Sequence, residues 1–161
     1  MNKNDLTSYI FLINSELFSF SYSLVPEQLQ AQQIVLDAIY ASIISDKNLE
    51  EKIENCVGPK SEEVFWECLK KSLYQHIYRI AKRRFIQLAN SLEINENFSS
   101  FYKLKFDEKA VLYLKHVLNF DFDDIEEILQ ITNSEVLIHL NCARNHLMKN
   151  LEMEFDLKHA M

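Results

Sequence analysis

Glycine is almost missing from this chain: Gly58 is the single one among 161 residues. Sheets and α/β folds use glycine at hairpins, phosphate loops and tight strand-to-helix turns. One glycine cannot supply G-x-G-x-x-G, a P-loop or a G-x-S-x-G elbow, so the usual nucleotide-binding and hydrolase designs are excluded by counting. Proline is nearly as scarce, at Pro26 and Pro59 alone. The three cysteines, Cys56, Cys68 and Cys142, are odd in number and form no C-x-x-C pair, which argues against a disulfide framework or a zinc ribbon. Long apolar runs are missing too. The longest early run is Tyr9 to Ile13, far short of the roughly 20 residues a membrane span needs, and the first five residues lack a charged-then-apolar signal pattern. The expectation is a reduced, cytoplasmic protein without a membrane partner.

What is present is apolar and helical in pattern. Hydrophobic residues make up 48% of the chain, enough for a packed core. Residues 5–23 place Leu6, Ile10, Ile13, Leu17 and Phe20 at helical spacing. Pro26 suits the first turn of a second helix, which Leu29, Ile34, Ala38, Ala41 and Ile44 carry to about residue 45. An acidic connector over 46–61 holds Gly58 and Pro59 as turn formers. A long helix over 61–90 follows, with Phe65, Leu69, Leu73, Ile77 and Ile80 along one stripe. The fold class expected is all-α, in two small helical domains: residues 1–90, a linker over 91–105, and residues 106–161 ending in a helix-turn-helix.

The second domain is expected to open with a short helix over 107–118, and two matching capping signatures follow it. Asp121 reads as an N-cap with Asp124 at N3, and Phe120 and Ile125 as its hydrophobic staple; Thr132, Glu135, Ile131 and Val136 repeat the arrangement 11 residues later. Two such signatures this close require two helices joined by a very short turn. The second helix keeps Val136, Leu140, Ala143, Leu147 and Leu151 as its buried stripe. Leu137, Ile138 and Met148 are left pointing outward, toward either a protein partner or the first domain.

Net charge is −7, and its distribution is uneven. Residues 1–75 carry a balance of −5, residues 76–105 of +4 and residues 106–161 of −6. The positive stretch contains Arg79, Lys82, Arg83 and Arg84, interleaved with Tyr74, Tyr78 and Phe85. Cations with aromatic rings between them suit single-stranded nucleic acid, where stacking contributes about 1–3 kcal/mol per base; the bland reading is a solvated helix face. Asp121, Asp123, Asp124, Glu126, Glu127 and Glu135 surround the short turn of the second domain. Either they repel a phosphate backbone or they form a solvated face aimed away from it. His139, Cys142 and His146 share one helical face but span about 10 Å, too far for a closed tetrahedral metal site without another ligand. No nucleophile, base and orienting acid fall together, so no catalytic residue, metal or cofactor is expected.

Segment 106–132, beginning Phe106-Asp107-Glu108-Lys109-Ala110-Val111, resembles region four of the extracytoplasmic-function group of sigma-70-type sigma factors. The resemblance continues through Val136-Leu137-Ile138-His139-Leu140 to Ala143-Arg144-x-x-Leu147. Upstream, Pro26-Glu27 with Ala31-Gln32-Gln33-Ile34-Val35-Leu36-Asp37 resembles the helix by which region two docks on the polymerase clamp. His76-Ile77-Tyr78-Arg79-Ile80-Ala81-Lys82-Arg83 resembles the promoter-melting helix. The resemblance implies core RNA polymerase and promoter DNA as partners, with an anti-sigma or other protein as a further one. It implies that Gln32, Gln33, Leu36 and Asp37 face polymerase, and that Lys82, Arg83 and Arg84 lie near promoter DNA beside Arg79. Tyr78 and Phe85 would stack on unpaired bases, and Ser134, Glu135, Ile138, His139 and Arg144 would face the upstream element. The chain departs from the family pattern in carrying Gln33 for an acid, Leu36 for a glutamine, His76 for a tryptophan, Glu126 for a small residue and Gln130 for a turn glycine. Glu135, Leu137 and His139 stand where a hydroxyl, a lysine and an arginine are usual. Two functions follow: a divergent sigma factor, or a sigma-like regulator that keeps the fold and acts through protein contact without reading DNA.

Overall fold

The computed structural model describes residues 3–45, 59–88 and 100–159. Among these there are six α-helices, one 3-10 helix and no strand. The helices are α1 (Lys3–Leu24), α2 (Gln28–Ser45), α3 (Pro59–Leu88), α4 (Phe106–His116), α5 (Phe122–Leu129) and α6 (Asn133–His159), with the 3-10 turn at Ser100–Lys103. No helix among the described residues is long and apolar enough to cross a membrane. The backbone forms two compact units, Met1–Arg84 and Phe85–Met161. The division falls inside α3. Most of the connector expected over 46–61 lies outside the described residues, as does the linker's first part. Its latter part is structured: Ser100 and Leu104 are buried, and Leu104 N donates to Phe101 O at 3.1 Å.

In the first unit, α1 and α2 form a hairpin joined by residues 25–27. Pro26, expected inside the second helix, instead precedes it. Glu27 takes the capping position, its carboxylate accepting from Leu29 N at 3.2 Å and Gln30 N at 2.6 Å. A carboxylate there satisfies free N–H groups and complements the helix dipole, which fixes where the helix begins. Leu17, Phe20 and Leu24 of α1 meet Ala31, Ile34 and Ala38 of α2 in the core, where Leu73, Tyr74, Ile77 and Ala81 of α3 are also buried. Small residues let α1 and α2 approach closely: buried Ser21 donates to Ala31 O at 3.0 Å. Tyr9 stacks on Trp66 with centroids 4.2 Å apart, joining α1 to the start of α3. Glu16 receives Lys70 at 2.9 Å and the Tyr74 hydroxyl. Burial raises the Glu16 carboxyl, but the bonds from Lys70 and Tyr74 outweigh it and leave the group below its usual range.

The second unit builds its core from Ala110, Val111 and Leu114 of α4, Ile125, Ile128 and Leu129 of α5, and Val136, Leu140 and Ala143 of α6. Asp121 caps α5, accepting from Asp124 N at 2.8 Å. Thr132 and Glu135 close the box at the start of α6: Glu135 Oε2 accepts from Thr132 N at 2.7 Å, and Thr132 Oγ1 accepts from Glu135 N at 3.3 Å. Between them the chain turns in three residues. Gln130 makes that turn in the left-handed region, φ 55° and ψ 45°.

Candidate functional site

Four expected contacts lie on the α2 face. Gln32 and Leu36, four residues apart, are exposed on one side. With Asn14, Ser15 and Phe18 of α1 and Val35 they line an open groove of about 470 Å³ between the two helices. No charged side chain lines it. Gln33 and Asp37 form the adjacent edge, with Gln33 Nε2 donating to Asp37 Oδ1 at 2.7 Å. The α1 side of this groove was not foreseen. Phe11 and Phe18 stand seven residues apart outside α1's buried stripe, a spacing that carries the signal.

The basic stretch of α3 is split by the fold. Arg79 and Arg83 are exposed and four residues apart, so they share a face. Arg84 points elsewhere. It donates to Gln30 Oε1 at 2.8 Å and to Asp37 Oδ2 at 3.1 Å. One residue expected at DNA and one expected at polymerase are thus joined in a single half-exposed ion pair. Lys82 donates to the Tyr78 hydroxyl at 3.1 Å and lies over its ring at 5.3 Å. His76 is half-buried, and burial together with the Arg79 charge lowers its imidazole pKa, favouring the neutral ring.

The two rings expected to stack on bases are engaged inside the protein. Tyr78 is only 4% exposed, because it sits on the same stripe as Tyr74 and Ile77. Phe85 packs in the second unit against Phe106 with centroids 5.2 Å apart, and Lys109 Nζ lies 5.0 Å over its ring. Tyr78 is buried, whereas Phe85 is half-buried between these two contacts. Helical periodicity explains the difference: a ring within a basic stretch still follows the stripe that its register dictates.

The α6 residues expected at the upstream element are mostly outward. Ser134, Glu135, Ile138 and Arg144 are exposed and His139 is half-buried. At the start of α6, however, carboxylates oppose phosphate. The Glu135 carboxylate takes its bonds from the Thr132 backbone and side chain, which hold it below its usual range and so ionised. It occupies the helix N-terminus where a phosphate would bind. Asn133 Nδ2 donates to Asp123 at 3.1 Å and to Glu126, holding two more carboxylates beside that end. Arg144 Nη2 lies 3.3 Å from His116 Nε2.

A buried polar cluster in α4 escaped the sequence reading. Glu108 is 1% exposed and accepts both from Lys105 N at 3.2 Å and from His146 Nδ1 at 2.9 Å. Lys109 is fully buried, and desolvation lowers its ammonium to about 8. Charged residues read as surface in a sequence, and only the packed α4–α6 pair puts these inside.

By fold this is an all-helical protein resembling a sigma factor. It shares that fold with the sigma factor RpoE from Bartonella quintana, solved in complex with the anti-sigma factor NepR: the TM-score is 0.57 at 17% sequence identity, covering 92% of this chain and 97% of that one. No family profile and no curated protein matches the sequence.

Proposed function

We propose that the chain is a divergent sigma-type transcription factor that docks on core RNA polymerase through α2 and touches promoter DNA through the cationic face of α3. The observation that supports it most is the exposed α2 face with its groove, Gln32 and Leu36 on one side and Asp37 at the edge, in a fold shared almost end to end with a sigma factor. Arg79 and Arg83, with Lys82 between them, supply the phosphate-facing cations. Polymerase does the chemistry, and this chain contributes placement. On this reading the protein works in the cytoplasm.

A second reading is favoured by specific geometry: a sigma-like regulator that meets proteins and leaves DNA alone. Tyr78 is buried, Phe85 packs on Phe106, Arg84 is paired with Asp37, and Glu135 fills the end of α6. One experiment separates the two. Core polymerase is captured with the chain and with Leu36→Asp, and a labelled promoter duplex and single strand are titrated at several salt concentrations with and without polymerase. A sigma factor binds polymerase through Leu36 and gives DNA binding that falls steeply with salt. The regulator binds polymerase or another protein and ignores DNA at every salt concentration. Failure to bind polymerase at all removes the first reading.

A further inference from the structure

We infer that the open face of the α1–α2 hairpin is an interface between two copies of this chain, packed about a two-fold axis that passes beside Leu36. Leu29, Leu36 and Ile43 stand at i, i+7 and i+14 on α2, 72%, 50% and 39% exposed, with Tyr40 at 66% one turn beyond Leu36. That spacing makes one stripe along a helix, and Leu36 places the stripe on the groove, where Gln28, Gln32 and Phe18 also lie. Phe11, 85% exposed, extends the face along α1, seven residues from Phe18. The bond from Ser21 to Ala31 O sets those two residues level, so the antiparallel hairpin puts Leu36 level with the stretch between Phe11 and Phe18. The face is therefore balanced about Leu36, with Leu29 and Ile43 to either side on α2 and the two phenylalanines on α1. A two-fold axis there sets Leu36 against its own copy, and Leu29 against Ile43 of the second copy.

Charge and area select the occupant. Residues 6–45 contain no lysine, arginine or histidine, and their acids are Glu16, Glu27 and Asp37. Each acid is engaged away from the stripe: Glu16 by Lys70 and Tyr74, Glu27 by the start of α2, Asp37 by Arg84. A chain of net charge −7 can therefore bring this face against its own copy without like charges meeting there, whereas a charged partner finds no complement. The amides of Gln28 and Gln32 suit bonds across the axis, as a polar residue in a coiled-coil seam fixes register. By their exposure, Phe11, Leu29, Leu36, Tyr40 and Ile43 offer on the order of 600 Å² per protomer, and the amides beside them add to it. A specific interface takes about 800 Å² from each partner, so the face has the size a dimer needs. Gln32 and Leu36 are also the residues proposed for polymerase, so the dimer withholds that surface. This consequence rests on the first reading; dimerisation does not, and its test contains no polymerase, so the two fail separately.

Sedimentation equilibrium of the full chain, from low micromolar to several hundred micromolar, is the test. The mass should rise from that of one chain toward that of two and no further, because a two-fold interface closes on itself. Sulfate should strengthen the association, as it does apolar burial. Leu36→Glu and Leu36→Lys, each checked by circular dichroism, should each weaken it at least about tenfold. An equimolar mixture of the two should associate again, since the axis sets position 36 against itself. Leu137→Asp plus Ile138→Asp on α6 should leave the dimer unchanged. A chain that stays monomeric throughout leaves the face to some other protein and overturns the inference. So would a mass that keeps climbing, a mixture no tighter than either variant alone, a dimer that the Leu36 variants leave intact, or loss of the dimer with the α6 change.

Discussion

Gln130 ends α5 with a positive φ, where a side chain costs about 1–2 kcal/mol relative to glycine. Replacing it with glycine removes that strain and adds some unfolded-chain entropy, so Gln130→Gly should stabilise the second unit by about 0.5–1 kcal/mol net. A rise of a few degrees in thermal midpoint is the readout. Asn119 has φ 57°, but asparagine tolerates this region better, and Asn119→Gly should gain less. Lys109 carries a sharper prediction. Its ammonium is lowered from 10.5 to about 8 by burial, so between those values the unfolded chain holds more protons than the folded one. Stability contributed at this site therefore rises with pH across that window and is lowest below pH 8. Lys109→Met should stabilise the unit at pH 7 by on the order of 2–3 kcal/mol and lose most of that advantage near pH 10.5. Urea unfolding at both pH values checks it; a gain independent of pH would mean that packing, not charge burial, is responsible.

At the scale of elements, the boundaries follow capping chemistry. Pro59 occupies the first position of α3, where its missing N–H costs nothing. Asp121, and Thr132 with Glu135, start α5 and α6 where their side chains can reach free N–H groups. Thr132→Ala should cost about 1 kcal/mol, and a double-mutant cycle with Glu135→Ala should show that the two effects are not additive, because each bond depends on the other partner. The ion pair of Arg84 with Asp37 is half-exposed, so its removal should cost at most about 1 kcal/mol. Its consequence is positional: it holds Arg84 against α2 and away from the face shared by Arg79 and Arg83.

At the scale of the molecule, the charge pattern decides which partners are admissible. Arg79→Glu plus Arg83→Glu reverses two exposed cations without touching the core. If α3 contacts nucleic acid, the variant should lose single-strand binding in the presence of polymerase, and its log affinity against log salt should be shallower by about two phosphate contacts. An unchanged salt slope would remove α3 from the interface.

The chain by itself determined helix existence, most boundaries and the short turn between α5 and α6. These depend on neighbours within a few residues: caps, staples and stripes such as Val136, Leu140 and Ala143. The outward placement of Leu137, Ile138 and Met148 followed from the same periodicity. Tertiary structure alone decided which charged and aromatic groups remain available. Tyr78 is buried and Phe85 packs on Phe106, Arg84 is held by Asp37, 47 residues away, and Glu108 meets His146 across 38 residues. Local spacing says which side of a helix a residue occupies, whereas its partner there comes from whatever another helix brings to that side.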